Sequence, residues 1–437
     1  MFRFAHNYLA EWRVSNNRKP LIIRGARQVG KTWLMKTFGQ NFYDNVAYIN
    51  FENNERMRYL FKDNYDIDRI LTGLQIESNT VIDSKTLIIF DEVQEVPNAL
   101  SSLKYFQENA PEYHIIAAGS VLGVLLHSGT SFPVGKVDFL DLHPMNFDEF
   151  LIATGNEPLV DLMNKQDTHL INSFKTRLIE LLRTYYFVGG MPEAVQVYLE
   201  SNDFSKVREV HQRLLFAYEQ DFSKHASYEL VPRIRQVWNS IPTQLSRENR
   251  KFIYGTIRQG ARAREYELAL LWLEDSGLIR KVYRAVKPEI PLKAFQDNSA
   301  FKTFILDVGL LGALSQLDAL TLLNDNQIFL QFKGALTEQY VFQQLISNNR
   351  FDPFYWSEEN RTAEVDFLIQ SKGNIFPIEV KAEENLRAKS LKVYQQRFNP
   401  IKGIRTSMAD FRNEGWLANL PLYMVNHLES IISNPTQ

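Results

Sequence analysis

Short apolar runs in the first third of the chain end at small or charged residues. LIIR at 21–24 leads into GARQVGKT, LIIF at 87–90 leads into Asp91 and Glu92, and HIIAAG at 114–119 leads to Ser120. Apolar runs of this length, bounded in this way, are typical of buried parallel strands. The pattern therefore predicts an α/β fold with a parallel sheet and helices on both of its faces.

The middle of the chain has a helical periodicity instead. Between 150 and 228 apolar residues recur at spacings of three and four, as in LIELLRTYYF and LLFAYEQDF, with breaks at Gly155 and at Gly189 and Gly190. This spacing predicts a run of helices. The glycine pair fits either a hinge or, more simply, a corner between two helices.

The last third contains charged residues inside apolar runs. EVDFLIQSKGNIFPIEVKAEEN predicts two paired strands around the turn SKGN. Because side chains alternate between faces, Glu379 and Lys381 should share one face, and Asp366 on the neighbouring strand can meet them. The preceding segment 297–336 has an apolar, helical pattern, and Glu338 falls on the apolar stripe of a helix. Buried ions are costly without a partner, so each of these charges requires one.

Composition narrows the class of protein. The chain has 437 residues, 45% of them hydrophobic and 23% charged, which indicates ordinary globular protein of about three domains. No apolar run approaches the ~18–20 residues that span a bilayer, and the first residues lack an export signal, so we expect a cytoplasmic protein that does not enter a membrane. The absence of cysteine excludes disulfides, thiolate zinc sites and cysteine nucleophiles. A net charge of −2 excludes a globally basic nucleic-acid binder but not a local basic patch.

The segment GARQVGKT matches the phosphate-binding pattern G-x-x-x-x-G-K-[ST] in the required context of strand, loop and helix. Its glycines let backbone N–H groups surround phosphate oxygens, and the helix N-terminus adds partial positive charge. We expect Lys31 to reach the β and γ phosphates of ATP, and Thr32 to hold Mg²⁺. The alternative is a chance glycine-rich turn. The predicted nucleotide-binding residues of the loop are Gly25, Ala26, Arg27, Gln28, Val29, Gly30, Lys31 and Thr32.

The other two strand ends predict partners for this loop. Asp91 is suited to hold Mg²⁺ through water, and Glu92 to polarise the water that attacks the γ-phosphate. The hydroxyl of Ser120, at the next strand end, is suited to sense the γ-phosphate. Taken alone, an acidic pair after a strand also fits a solvated loop.

Several segments together resemble one family. GARQVGKT, AYINFEN, IIFDEVQEVP, IIAAGS, DLHPMNFDEF and YYFVGGMPEAV are similar to segments of prokaryotic AAA-type ATPases that carry a C-terminal domain of unknown function with a restriction-endonuclease-like fold. The resemblance covers nearly the whole chain. It implies a P-loop core at 1–150 and a nuclease-like α/β domain at 297–437, and the segments between them resemble a helical lid at 151–228 and a winged helix at 229–296. Lys136 stands where an arginine is expected, so an arginine finger cannot be assigned to that position.

A local basic stretch lies at 247–264, in RENRKFIYGTIRQGARAR. It has six basic residues against Glu248, a local net charge of +5. In a winged helix the recognition helix would begin near Arg262, with its first turns facing a major groove of DNA. The alternative is a protein-docking module with a solvated basic face. The candidate DNA contacts are Arg247, Arg250, Lys251, Arg258, Arg262 and Arg264.

The C-terminal charges predict a metal site. Asp366 and Glu379, with Glu338 beside them, offer the hard oxygen ligands that Mg²⁺ or Mn²⁺ prefers. A helical glutamate, then an aspartate, then E-x-K resembles the PD-(D/E)XK nuclease fold, in which Glu379 and Lys381 would act on a phosphodiester, the lysine positioning or activating water. The alternative is a salt bridge between Lys381 and a carboxylate.

Two functions are compatible with the sequence. In one, ATP hydrolysis controls a metal-dependent nuclease that binds DNA, and the catalytic residues are Lys31, Glu92, Glu379 and Lys381. In the other, the chain is a nucleotide-driven switch whose C-terminal domain binds a partner or nucleic acid without cleaving it. The sequence leaves the oligomeric state open.

Overall fold

The computed structural model describes residues 1–62, 64–120, 133, 135–247, 250–323, 330–347, 349–358, 363–384 and 388–433. They fall into two compact units. The N-terminal unit comprises Arg3–His143 together with Asp275–Leu278, and the C-terminal unit comprises Met1–Phe2, Pro144–Glu274 and Ile279–Gln437. Among the described residues, no helix is both long enough and apolar enough to cross a membrane.

The N-terminal unit is built on the predicted parallel sheet. The described strands are β1 (Leu21–Arg24), β2 (Asn45–Asn50), β3 (Thr86–Asp91), β4 (His114–Ala118) and β5 (Asp138–Asp141). Their order across the sheet is β2-β3-β4-β1-β5, and every neighbouring pair is parallel. Because β3, β4 and β1 are neighbours, their carboxyl ends meet at one edge of the sheet, which is where ligands of such folds bind.

Helices cover both faces of this sheet, as predicted. They are α1 (Ala5–Val14), α2 (Lys31–Phe42), α3 (Glu55–Leu60), α4 (Ile67–Ser78) and α5 (Pro97–Asn109). Ile88 packs into a core with Leu74 of α4 and Leu103 of α5. Its neighbour Leu87 instead lies beside Gly39 of α2. Since adjacent strand residues point to opposite faces, α2 lies on the face opposite α4 and α5.

The first half of the C-terminal unit is helical, which confirms the periodicity between 150 and 228. The helices are α6 (Phe147–Ala153), α7 (Glu157–Lys165), α8 (Thr168–Ser173), α9 (Lys175–Val188), α10 (Pro192–Ser201), α11 (Phe204–His225), α12 (Val231–Ser246), α13 (Tyr254–Ile257) and α14 (Ala263–Asp275). Gly189 and Gly190 form the corner between α9 and α10. The N–H of Gly190 donates to Asp307 (2.6 Å) and its carbonyl accepts from Met145 (2.7 Å), so the corner is packed.

The rest of this unit is a mixed sheet with helices. The strands are β6 (Ile279–Ala285), β7 (Gln296–Ile305), β8 (Phe354–Ser357), β9 (Glu364–Ser371), β10 (Asn374–Val380), β11 (Gly403–Ser407), β12 (Arg412–Glu414) and β13 (Leu417–Pro421), in the order β12-β13-β11-β10-β9-β8-β6-β7. The helices are α15 (Val308–Leu314), α16 (Ala319–Leu323), α17 (Leu330–Ile346), α18 (Lys389–Phe398) and α19 (Leu428–Ser433).

The predicted hairpin in the last third is confirmed. β9 and β10 are antiparallel, and Ser371 pairs with Asn374 across a two-residue turn. Lys372 (φ 48°) and Gly373 (φ 75°) both have the left-handed backbone that such tight hairpin turns need. The hairpin therefore places Asp366 and Glu379 on adjacent strands.

The helical prediction for the start of 297–336 is wrong. Gln296–Ile305 is strand β7, which pairs antiparallel with β6, and helix begins only at Val308. FKTFI is a short apolar run of aromatic and β-branched residues, and periodicity alone cannot separate a strand from a helix over that length. The predicted domain boundary after residue 296 thus falls inside a strand, and the division into four domains stays a prediction.

Candidate functional sites

The loop between β1 and α2 has the backbone that the phosphate-binding pattern requires. Gly25 (φ 151°), Gln28 (φ 67°) and Gly30 (φ 95°) all have positive φ. A Cβ added to Gly25 would lie 2.3 Å from the carbonyl oxygen of Leu142, so only glycine fits there. Gly30 directly precedes the first residue of α2, so the loop ends at a helix N-terminus.

Lys31 points into this loop instead of into solvent. Its side chain is buried, and Nζ donates to the carbonyl oxygens of Gly25 (2.9 Å) and Ala26 (2.8 Å). Burial lowers the pKa of Lys31 to about 8, although Glu92 and Asp91 act in the opposite direction. These hydrogen bonds of the ammonium thus go to neutral carbonyls, and an anionic ligand in direct contact would be a stronger partner.

Asp91, at the end of β3, lies beside the start of α2. Its Oδ2 accepts hydrogen bonds from Thr32 Oγ1 (2.7 Å) and from the Tyr48 hydroxyl (2.9 Å), and the residue is buried. A hydroxyl and a carboxylate oxygen thus meet beside the loop, and both are hard oxygen donors of the kind that Mg²⁺ binds. The two predicted Mg²⁺ residues fit the ion. Tyr48 was not predicted, and burial raises its pKa.

Glu92 and Ser120 also come together at this edge of the sheet. Ser120 Oγ donates to Glu92 Oε1 (3.4 Å), and Gln94 Nε2 donates to the other carboxylate oxygen. Glu92 has a left-handed backbone (φ 52°), which is uncommon for a residue other than glycine. The predicted residues of three strand ends therefore lie at one site.

Arg3 is a residue of this site that the sequence did not reveal. It is buried, and its guanidinium donates to the carbonyl oxygens of Val29 in the loop (2.9 Å) and His143 after β5 (2.6 Å). The two terminal nitrogens of the Arg3 guanidinium thus connect the loop to the residues that follow β5. A single arginine before an amphipathic helix carries no signal of this contact.

A second hidden contact comes from residues 275–278. The chain returns to the N-terminal unit for this short segment. A Cβ added to Gly277 (φ 75°) would lie 3.1 Å from the backbone nitrogen of Ala26, so the turn packs directly on the loop. Gly277 and Ala26 lie about 250 residues apart along the sequence, so no local sequence pattern indicates that they meet.

The basic stretch is only partly exposed, and Arg250 has to be withdrawn as a DNA contact. Its guanidinium forms an ion pair with the buried Glu338. Arg258 is exposed and pairs with Glu265 (3.0 Å). Arg247, Arg262 and Arg264 are exposed, whereas Lys251 is half-buried, its backbone bridging to β7. In the sequence, Arg250 stands in a run of basic residues, which is typical of a solvated surface. In the structure, its side chain is instead paired with Glu338.

Two of the predicted carboxylates, Glu338 and Asp366, belong to a largely buried group that we call the charge cluster: Arg250, Lys302, Glu338, Glu364 and Asp366. Lys302, on β7, has no exposed surface. Its Nζ lies 2.6 Å from Glu364 Oε1, 3.6 Å from Glu338 Oε2 and 3.7 Å from Asp366 Oδ1. Asp366 also accepts a hydrogen bond from the N–H of Val380 (2.8 Å).

The ionisation of the cluster reflects these contacts. Burial raises the pKa of Glu338 to about 7. Burial acts in the same direction on Asp366, but Lys302 and Arg250 outweigh it and lower the pKa of that carboxyl. Burial would lower the pKa of Lys302, and the three carboxylates reverse this and raise it.

Glu379 and Lys381 form a separate pair. Lys381 Nζ lies 2.7 Å from Glu379 Oε1, which confirms that the two side chains share a face. Burial raises the pKa of Glu379 despite the lysine. The alternative of a salt bridge between Lys381 and a carboxylate is thus what the structure contains.

The predicted C-terminal metal site is not assembled. Among the described residues, no three His, Cys, Asp or Glu side chains are grouped so as to hold a metal ion. Glu338 and Asp366 contact Lys302, and Glu379 contacts Lys381. Each predicted ligand therefore has a protein cation beside it, and these residues do not fit Mg²⁺ or Mn²⁺ as arranged.

Three segments of the chain match models of known protein families. Residues 17–151 match the AAA domain family, residues 179–321 match a domain of unknown function (DUF8612), and residues 333–423 match another (DUF4143). Residues 17–151 thus form an AAA-type P-loop ATPase domain, which supports ATP binding. No curated protein matches the chain.

Several solved structures are similar at low identity. The Walker-type ATPase PABY2304 of Pyrococcus abyssi aligns with 16% identity and a TM-score of 0.44, over 72% of this chain and 95% of its own. The ORC1 protein of Aeropyrum pernix, in complex with DNA, aligns with 12% identity and a TM-score of 0.27, over 71% and 90%. Cdc6p of Pyrobaculum aerophilum aligns with 11% identity and a TM-score of 0.23, over 70% and 88%.

Proposed function

We propose that the N-terminal unit binds ATP with Mg²⁺ at residues 25–32 and hydrolyses it, and that the chain acts as a nucleotide-driven switch. The observation that carries the proposal is Lys31. Its ammonium is buried inside a loop with positive-φ residues and donates to the backbone carbonyls of Gly25 and Ala26, while Glu92 and Asp91 are near enough to act on its pKa. Phosphate oxygens are the ligand that this arrangement suits best.

Each residue of the site has a role in this proposal. Lys31 exchanges its carbonyl contacts for phosphate oxygens, and the N–H groups of the loop bind the remaining oxygens. Thr32 and Asp91 would hold Mg²⁺, and the ion would supply positive charge to offset that of the phosphates. Glu92 orients the attacking water. Ser120 donates a hydrogen bond to Glu92 and senses the γ-phosphate, so it couples the position of the Glu92 carboxylate to the presence of that phosphate.

The proposal is tested with Lys31→Ala, which should abolish ATP turnover because the ammonium is the main charge facing the phosphates. Lys104→Ala, an exposed lysine of α5, is the matched control and should keep the parental rate. Turnover is measured as phosphate release with Mg²⁺. ATP hydrolysis by Lys31→Ala at the parental rate would refute the assignment.

We further propose that the switch contacts DNA through the exposed part of the basic stretch. The succession of α12, α13 and α14 followed by the β6–β7 hairpin supports the predicted winged helix. Arg262 and Arg264 are exposed at the start of α14, where a recognition helix would meet a groove. Arg262→Ala with Arg264→Ala should weaken binding of duplex DNA in fluorescence anisotropy and reduce the salt slope by about 2.

The control for this second test is Arg233→Ala with Arg235→Ala, which removes two exposed arginines from α12 of the same module. Equal DNA affinity of both double variants would favour the protein-docking alternative. Cleavage by the C-terminal domain has less support than the switch. The order α17, β8, β9, β10 and α18 agrees with a nuclease-like fold, but fold alone does not confer activity.

A further inference from the structure

The charge cluster contains cations that the nuclease-like pattern does not include. Arg250 lies ahead of α13 and Lys302 lies on β7, both outside the helix and hairpin that supply Glu338, Glu364 and Asp366. The Lys302 ammonium lies within 3.7 Å of an oxygen of each of the three carboxylates. It therefore occupies the point toward which the carboxylates converge.

A divalent ion would need that same point. Mg²⁺, Mn²⁺ or Ca²⁺ sites gather several oxygens at roughly 2.0–2.6 Å around one centre. Lys302 has no exposed surface, and its Nζ is also 5.2 Å from the centre of the Tyr355 ring. Entry of a metal would thus require the ammonium to leave a buried position.

The cluster already contains cations for most of its negative charge. Its three carboxylates face two cations, Lys302 and Arg250, so the formal charge of these described side chains is −1. Burial also raises the pKa of Glu338 to about 7, which reduces this negative charge near neutral pH. A divalent ion added to the group would leave it with net positive charge, which is unfavourable at low dielectric constant.

Space for the second cation is built into α17. Gly334 lies one helical turn before Glu338, and a Cβ at that position would lie 2.8 Å from Arg250 Nη2. A glycine inside a helix is intrinsically unfavourable, so its presence here is explained by the guanidinium that passes over it.

We propose that Lys302 and Arg250 take the place of a divalent metal in the C-terminal domain. The domain then binds no catalytic metal and cleaves no phosphodiester. Instead, the charge cluster fastens β7 and the segment before α13 to α17 and β9, so the basic stretch is anchored to the C-terminal sheet.

The test is Mn²⁺ titration of the nucleotide-free full chain, followed by the electron paramagnetic resonance signal of free Mn²⁺. We compare the parent, Asp366→Asn, Lys302→Met and the double variant, with Thr32→Ala in each to remove the loop site. The parent and Asp366→Asn should bind Mn²⁺ equally, with no site below a Kd of about 1 mM. Lys302→Met should gain a site at least about tenfold tighter, and the double variant should lose it.

Two results would overturn the proposal. One is a Mn²⁺ site in the parent that Asp366→Asn removes, and this comparison decides the matter even if Lys302→Met does not fold. The other is a folded Lys302→Met, judged by its circular dichroism and cooperative melting, that gains no site. Neither result bears on ATP turnover, so the proposed function is tested independently.

Discussion

Two buried lysines, Lys31 and Lys302, illustrate how differently one side chain is used in the two units. Both are nearly inaccessible to solvent. Lys31 contacts backbone carbonyls, and burial lowers its pKa to about 8. Lys302 is surrounded by Glu364, Glu338 and Asp366, which together outweigh burial and raise its pKa. The fold disfavours the charge on one lysine and favours it on the other.

This difference distinguishes a site that can gain from binding a ligand from a buried group whose charges are already paired within the protein. A charge held by neutral dipoles gains when an anion arrives, since opposite charges in close contact attract strongly where water is excluded. A charge already matched by carboxylates has no such gain left. Both regions contain motifs with buried charged residues. The motif alone does not show whether such a charge is bonded to neutral groups or paired with opposite charges of the protein.

The largest contrast should appear in stability. Lys302→Met leaves the cluster with excess buried negative charge, and breaking a buried pair costs about 3–5 kcal/mol. Lys31→Met removes a charge that the fold disfavours, so it should leave the free energy of unfolding within about 1 kcal/mol of the parent or raise it. Urea denaturation at pH 7 measures both. Equal losses in the two variants would remove the distinction between the sites.

The second effect concerns Arg3, which joins the loop to the end of β5. Arg3→Ala frees the carbonyl of Val29, and we expect kcat/KM for ATP to fall about tenfold because the loop is less well positioned. Arg3→Lys should recover only part of this loss, since an ammonium lacks the fork that reaches both carbonyls. Arg56→Ala, a surface arginine paired with Glu77, serves as the control. An unchanged kcat/KM with lowered stability would reduce Arg3 to a structural residue.

The sequence predicted the N-terminal site far better than the C-terminal one, and the reason is locality. Strand, loop and helix follow one another at 21–42, so the pattern contains the whole phosphate loop. Strand-end positions then brought Asp91, Glu92 and Ser120 to the same edge because parallel neighbours share that edge. The missing parts, Arg3 and Gly277, reach the loop from distant positions in the chain.

In the C-terminal unit the hairpin and the buried glutamate were predictable from periodicity, and the partners of the charges were not. Lys302 lies in a run that resembled a helix, and Arg250 lies in a run that resembled a solvated basic face. Nothing in their local sequence indicates that both reach Glu338. The choice between a metal and a protein cation is thus made by tertiary contacts.

A third effect tests the space that α17 leaves for Arg250. An added methyl group at Gly334 should gain helix propensity of about 1 kcal/mol and lose as much or more by displacing the guanidinium. Gly334→Ala should therefore be neutral or destabilising by about 1 kcal/mol, but stabilising in an Arg250→Met background. Gly312→Ala in α15, where the nearest side-chain atom is 3.9 Å away, should stabilise in both backgrounds. Identical effects of Gly334→Ala with and without Arg250 would contradict the packing argument.

The smallest effect is a proton taken up when ATP binds. Without nucleotide, Lys31 has a pKa of about 8, below its ordinary value, so between pH 8 and 10.5 the unfolded chain binds more protons and stability rises with pH. Bound phosphates favour the ammonium and raise its pKa again. Binding should therefore take up about 0.1 proton at pH 7 and about 0.9 proton at pH 9, and ATP affinity should fall as pH rises above 8.

Calorimetry in buffers of different ionisation enthalpy measures this uptake directly. The Lys302→Met variant should show the same uptake as the parent, because the charge cluster does not contact the nucleotide in this proposal. Uptake that is absent at pH 9 would mean that Lys31 is already paired with a strong anion before ATP arrives. The contrast between Lys31 and Lys302 would then fail, because both ammonium groups would already be paired with anionic groups of the protein.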